Sequence, residues 1–452
     1  MSERRFFGQP IGLGYLAFTE AWERFSFYGM GALVVLYMTQ TLLLPGHVEH
    51  VAGFAALRTV IQSVTGPLSI QATASIIYGL YSGLVYFTPL VGGLIADRLL
   101  GARATVVIGA VLMSAGHIAM AFDVSFLLAL LLLIVGCGCL KGNISAQVGS
   151  LYNREDDGGR TRGFAIFSVG INVGAVTGPL LCGLLAQIWG WHAGFAAAGV
   201  LMVAGLITYL AGLKHLPAPP PRQERNVEAR TLTAAERRTV ALLVGVITIT
   251  IFQSLAYYQI TDVGMVWIAQ KVDLATPLGP IPVPWFNSVD SFSSIVSVAP
   301  LFALWRWQDR HGGEPGDLGK IGIGAAICAA SALVLAAASA VAGEGRINAL
   351  WPLVGFFGMG VAFIYYWPTL LALVSRRAPT GLTGTMLGVT FLSLFVSNTI
   401  MGWVGSFYER LGPTAFWCLD AAIACVGMLL VAALRLPLGS GLRLVNAPDP
   451  AG

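Results

Sequence analysis

The amino-acid sequence predicts an all-α membrane protein with twelve transmembrane helices in two six-helix bundles. Three observations predict it: an apolar composition, twelve apolar segments of spanning length, and a one-sided distribution of Lys and Arg. Of 452 residues, 56% are hydrophobic and 11% charged, with a mean hydropathy of +0.75. A soluble domain carries about 45–50% apolar and about 25% charged residues. A span needs about 20 apolar residues, so the chain holds roughly a dozen spans and no sizeable soluble domain.

The N-terminal bundle, residues 1–213, reads as spans one to six at roughly 11–38, 72–96, 104–122, 125–150, 163–188 and 192–213. The apolar stretch behind Arg4 and Arg5 is long and interrupted by charges, unlike a cleaved signal peptide, so span one is expected to be retained. A polar linker, 214–238, follows, with Pro217, Pro219, Pro220 and Pro221. The C-terminal bundle, 239–452, reads as spans seven to twelve at roughly 239–269, 284–305, 319–342, 347–375, 384–408 and 414–436, ending in a short cytoplasmic tail.

Cytoplasmic loops of membrane proteins hold most of the cations, which tests this count. With the N-terminus inside, only Arg58, Lys271, Arg346 and Arg410 fall on the outer side, and only Arg24 and Lys141 fall within spans; every other cation of the 26 is cytoplasmic. The expectation is a plasma (inner) membrane protein with both termini in the cytoplasm, working as a monomer. The net charge of +4 includes no basic run interleaved with aromatics, so nucleic acid is excluded as a partner. All six cysteines lie in apolar segments without CxxC spacing or nearby histidines, and read as small packing residues; no metal site and no cofactor are expected. No nucleophile, base and orienter occur together, so an enzyme is not expected.

Charges inside spans cost about 2.5–3.5 kcal/mol each on insertion scales, which makes every one of them a candidate for function. Span one contains Glu20, Glu23 and Arg24, about 10 residues in and so roughly at mid-membrane. Glu20 and Arg24 are i,i+4 with the acid first, and Glu23 is i+3 from Glu20, so the three share one helix face, which must look into a polar cavity. Two carboxylates on one guanidinium leave the second only partly neutralised, which suits a proton site. Lys141 in span four has no charged neighbour on its own helix and needs a partner from elsewhere: a substrate carboxylate or a glutamate of span one. Asp262 in span seven and Asp420 in span twelve are read as lying near outer edges, and His117 as a satisfied packing residue.

Two six-helix halves with a cytoplasmic linker resemble the major facilitator superfamily fold, whose substrate site lies between the halves. The segment Gly92-Gly93-Leu94-Ile95-Ala96-Asp97-Arg98 through Arg103 is similar to that superfamily's loop signature. Within it, Glu20-x-x-Glu23-Arg24-Phe25-x-x-Tyr28-Gly29, Lys141, and Phe167-Ser168-Val169-Gly170-Ile171-Asn172-Val173-Gly174 resemble motifs of the proton-coupled oligopeptide transporter family, with Tyr86-x-Thr88-Pro89 and segments of spans eight and eleven adding to the match. The resemblance implies a symporter that imports di- and tripeptides with protons. Arg24 and Lys141 would hold the peptide carboxylate, Tyr28 and Tyr86 line the cavity, and Asn172 contact the peptide backbone or amino end. Glu20 and Glu23, with Arg24, would carry proton coupling.

The departures fall mainly in the second half. Phe363 stands where the family has the glutamate that binds the peptide amine, and Trp367 where a serine is usual. Tyr258 and Gly31 replace a glutamate and an arginine that bridge the halves, while Phe27 replaces a frequent tyrosine. Asp290 stands where asparagine is usual and is expected to hold the substrate ammonium, or to pair with Lys141. Two other readings stand beside the peptide symporter: specificity shifted to another anionic solute, and a sensor that binds peptide without transporting it.

Overall fold

The computed structural model describes residues 5–153, 156–217, 232–379 and 381–444. Among them, 12 helices are long and apolar enough to cross a membrane: Ile11–Leu42, Ile70–Leu100, Ala102–Ala119, Asp123–Ser150, Gly158–Trp189 and Trp191–His215, then Ala234–Lys271, Val283–His311, Asp317–Ala342, Leu350–Arg377, Thr383–Gly405 and Pro413–Leu434. These are spans one to twelve as the hydropathy pattern places them. Most of the expected 214–238 linker, 218–231, and the tail from 445 lie outside the described residues, as do Arg4 and Arg154. Span seven opens on a capping box: the Thr233 hydroxyl accepts from the Glu236 N–H at 3.2 Å, and the Glu236 carboxylate accepts from the Thr233 N–H at 2.9 Å. One helix was not foreseen. Phe54–Thr65, between spans one and two, is 12 residues long, too short to span, and buries only Phe54 and Ile61, seven apart on one face.

The chain divides into two compact units. The first holds the described residues of Met1–Pro221 with Thr261–Gln270 and Leu274–Ser291; the second holds those of Arg222–Ile260, Lys271–Asp273 and Phe292–Gly452. Span seven crosses the division where its helix is interrupted by a tighter turn, Gln259–Thr261.

In the first unit, small residues let helices approach backbone to backbone, the packing mode that lipid, which offers helices no hydrophobic drive to associate, favours. Gly170, Gly174 and Gly178 of span five recur every four residues against span one. A Cβ on Gly174 would lie 2.6 Å from the Phe25 backbone nitrogen and 2.7 Å from Arg24 Cβ. Gly92 of span two meets Gly138 of span four in the same way, and hydrogen bonds fix the register there: Thr88 Oγ1 donates to Ile134 O at 2.9 Å and Asn143 Nδ2 to Gly92 O at 3.3 Å. Ser26 donates to Ala198 O at 2.7 Å and so ties span one to span six. At the opposite end, Asp123 accepts a hydrogen bond from Tyr37 and lies 3.2 Å from His192 Nε2 and 3.5 Å from His47 Nδ1.

The second unit is built on Leu243, Val246 and Ile247 of span seven packed with Tyr366 and Leu370 of span ten and Met386 of span eleven. Ser293 donates to Phe357 O at 2.6 Å and Ser294 to Gly360 O at 3.0 Å, which fixes span eight on span ten. Arg376 pairs with Asp317 at 2.8 Å.

Several expectations need correction. Asp262 and Asp420, read as lying near outer edges, are both 0% exposed, and neither Asp420 oxygen has a hydrogen-bond partner. His117 is buried as expected, but neither ring nitrogen is satisfied, because apolar and small residues such as Gly199 pack against it. Cys418 is exposed on the surface of span twelve rather than packed; Cys137, Cys139, Cys182 and Cys328 are buried.

Candidate functional site

Span one presents Glu20, Glu23 and Arg24 as the spacing requires, and all three are buried. Arg24 Nε donates to Glu20 Oε1 at 2.7 Å and lies 2.9 Å from Glu23 Oε2. The two acids are not equivalent. Glu20 accepts a hydrogen bond, whereas both oxygens of Glu23 are buried without one. Because the guanidinium is held through Nε, its two Nη groups make no hydrogen bond among the described residues. That leaves the planar fork, which takes a carboxylate bidentately, available. The glycine seam sets this geometry: with Gly174 beneath Arg24, the helix bearing the triad sits directly on span five.

Lys141 forms no ion pair with any described residue. Its Nζ lies over aromatic rings instead, 4.0 Å from the Phe27 centroid and 5.4 Å from that of Tyr86. Arg24 Cζ lies 5.8 Å from the same Phe27 ring. One ring therefore lies close to two cations and attracts both. The sequence reading gave Phe27 no role, although its i+3 spacing from Arg24 was a signal that it shares the triad's face. Tyr28 meets Phe27 edge to face at 5.3 Å. Tyr28, Tyr86 and Asn172 are half-buried, as residues lining a cavity would be.

Asp290 belongs to the first unit. It sits in the first turn of the helix Asn287–His311 and is 7% exposed. Ser288 donates to Val176 O at 2.7 Å and Trp285 Nε1 to Leu180 O at 2.8 Å, which seats this helix start on span five. Asp290 is close enough to Tyr28 to act on it electrostatically.

Phe363 and Trp367 lie in the second unit, half-buried against its core. Phe363 stacks on Tyr257 with centroids 5.3 Å apart and meets Tyr366 edge to face at 5.8 Å. Trp367 meets Phe391 at 5.6 Å. These positions form an aromatic cluster without an acid. No group of His, Cys, Asp and Glu among the described residues could hold a metal ion.

The seam supplies a direct test. Gly174→Ala should cost about 1–3 kcal/mol of stability through overpacking, read as a lower melting temperature in detergent. Gly93→Ala serves as the neutral control, because a Cβ there meets nothing within 4 Å.

Comparison with known proteins agrees with this architecture. The Major Facilitator Superfamily model matches residues 16–402. A di-/tripeptide transporter of Lactococcus lactis subsp. cremoris is 28% identical, with 97% of each chain covered. An uncharacterized transporter of Bacillus subtilis (strain 168), YclF, is 27% identical over 95% of this chain and 94% of its own. Among solved structures, the peptide transporter POT in complex with sulfate superposes with a TM-score of 0.83 at 26% identity, covering 97% of both chains. The family and these neighbours are transporters, not enzymes, and the chain is a multi-pass membrane protein. It belongs to the Major Facilitator Superfamily.

Proposed function

We propose that this protein is a proton-coupled symporter that imports di- and tripeptides or peptide-like compounds by alternating access, with both termini in the cytoplasm. One observation carries the reading. Arg24, buried and held by Nε between two glutamates, and Lys141, half-buried over aromatic rings and without a carboxylate partner among the described residues, are two cations of one unit that both lack a full complement of acceptors. A peptide carboxylate supplies that complement to both. The buried acids supply the coupling: two carboxylates and one guanidinium leave an uncompensated negative charge, which a proton neutralises. Protonation weakens the hold on Arg24 and so favours substrate binding; release of substrate returns Arg24 to the acids and expels the proton. Tyr28, Tyr86 and Asn172 line the site, and the named peptide transporters among the relatives support the substrate class.

The aromatic cluster of Phe363 and Trp367 favours a second reading, in which the solute is an anion without a free amine. Labelled dialanine uptake into proteoliposomes under an imposed inward proton gradient decides between them. Accumulation establishes the peptide symporter; binding of another anion without dialanine uptake establishes the second reading.

Asp290 carries the amine end in the first reading. Asp290→Asn is expected to weaken competition by free dipeptides about tenfold to a hundredfold, the loss of one charge-assisted contact of about 1.5–3 kcal/mol. Competition by N-acetylated dipeptides should be nearly unchanged. Equal losses for both sets would remove Asp290 from amine recognition.

A further inference from the structure

We propose that Asp262 is a proton-binding site, and that its bound proton holds the outer half of span seven against span two. The role this gives it in coupling rests on the transport reading above; the site itself does not. Asp262 is the first residue after the interruption Gln259–Thr261 and precedes the half-helix Val263–Lys271. That half-helix packs as part of the first unit while Ala234–Tyr258 belongs to the second, and its Val263, Met265 and Trp267 are all fully buried.

The carboxyl group is itself 0% exposed. Its Oδ1 accepts from Ser75 Oγ at 2.9 Å, and Ser75 in turn accepts from Gln71 Nε2 at 2.9 Å, one turn earlier on span two. Its Oδ2 has no hydrogen-bond partner. Among the described residues no Lys, Arg or His lies within ion-pair distance of it. The titratable group facing it from span two is Tyr78, which is neutral at physiological pH and feels Asp262 electrostatically. The cation on its own element, Lys271, stands at the far end of the half-helix.

An anion in this position has neither water nor a cation to stabilise it, whereas the neutral acid needs neither. The Ser75 hydroxyl can bond to either form, more strongly to the anion, but one hydrogen bond does not offset the desolvation of a buried charge, so the net penalty falls on the ionised form of the closed contact. Losing the proton therefore favours states in which Asp262 reaches water, which requires the outer half-helix to leave span two. By linkage, whatever separates the two also releases the proton.

The test uses the full chain in lipid nanodiscs. Infrared difference spectroscopy over a pH titration should show the carbonyl band of a buried protonated carboxylic acid, with that band lost in Asp262→Asn and its midpoint moved in Ser75→Ala. Hydrogen exchange of residues 259–271, corrected for intrinsic rates, should lose protection as pH rises in the native protein. In Asp262→Asn, which mimics the neutral acid, protection should not change with pH. Carbonyl difference intensity in Asp262→Asn equal to that of the native protein, with nothing lost, or exchange that keeps its native pH dependence, overturns the proposal. If Asp262→Asn fails to fold, an unmoved midpoint in Ser75→Ala overturns it. Neither readout involves substrate, so absent dialanine uptake with these signals intact counts against the peptide reading alone.

Discussion

Lys141→Ala should reduce gradient-driven uptake of dialanine to that of protein-free liposomes, with the loss traceable to the peptide carboxylate. Lys141 is half-buried without a carboxylate partner among the described residues, and its ammonium lies 4.0 Å from the Phe27 ring centroid. Holding a lone charge within a span is costly, and cation–π contact returns only about 0.5–2 kcal/mol of that cost. A substrate carboxylate therefore gains from Lys141 more than an exposed lysine would give it. Removing the ammonium should cost about 1.5–3 kcal/mol of binding, roughly tenfold to a hundredfold in affinity. Competition with dialanine amide isolates the cause. Lys141→Ala should prefer the acid to the amide by less than the native protein does, the difference being that factor and the remainder belonging to Arg24. If the variant discriminates as strongly as the native protein, Lys141 does not hold the carboxylate. Phe27→Leu, which removes the ring close to both cations, should weaken binding less than Lys141→Ala does.

Why the sequence revealed so much of the first unit follows from its chemistry. Lipid allows few charges, so Glu20, Glu23, Arg24 and Lys141 stood out against their apolar context, and i,i+3 and i,i+4 spacing put the triad on one face before any coordinates. The twelve spans were legible because each must satisfy its backbone internally over a fixed thickness. Other features depend on contacts between elements distant in sequence. The Gly170–Gly174–Gly178 repeat was visible, but that Gly174 lies against Arg24 Cβ depends on the pairing of spans one and five. The full burial of Asp262 was not legible, because the interruption at Gln259–Thr261 and the Ser75 contact, 187 positions away in the chain, do not show in a hydropathy pattern. Phe54–Thr65 escaped notice because its apolar residues are interrupted by Arg58, Thr59, Gln62 and Ser63, which leaves no run of spanning length for a hydropathy window to detect.

Glu23→Gln should separate binding from coupling: counterflow exchange of dialanine between the two sides persists, while accumulation driven by a proton gradient is lost. The geometry distinguishes Glu23 from Glu20, which spacing alone could not. Glu20 accepts the 2.7 Å hydrogen bond from Arg24 Nε and so orients the guanidinium. Glu23 contributes charge at 2.9 Å, but its oxygens are buried without hydrogen bonds. A carboxamide at position 23 keeps the shape, removes one negative charge and takes up no proton, so it imitates the protonated state permanently. With one acid left for one guanidinium, Arg24 remains compensated and oriented, and its Nη fork can still take the peptide carboxylate. Exchange needs only that binding and the movement of the loaded protein. Accumulation also needs the empty site to return without a proton, a step that a permanently neutral position 23 cannot link to the gradient. Glu20→Gln should behave differently, because weakening the bond that positions Arg24 lowers affinity and so reduces exchange and accumulation together. The measurements are counterflow without a gradient and uptake with an imposed inward one, made on the same proteoliposomes. If Glu23→Gln accumulates dialanine as the native protein does, the coupling proton binds elsewhere in the chain.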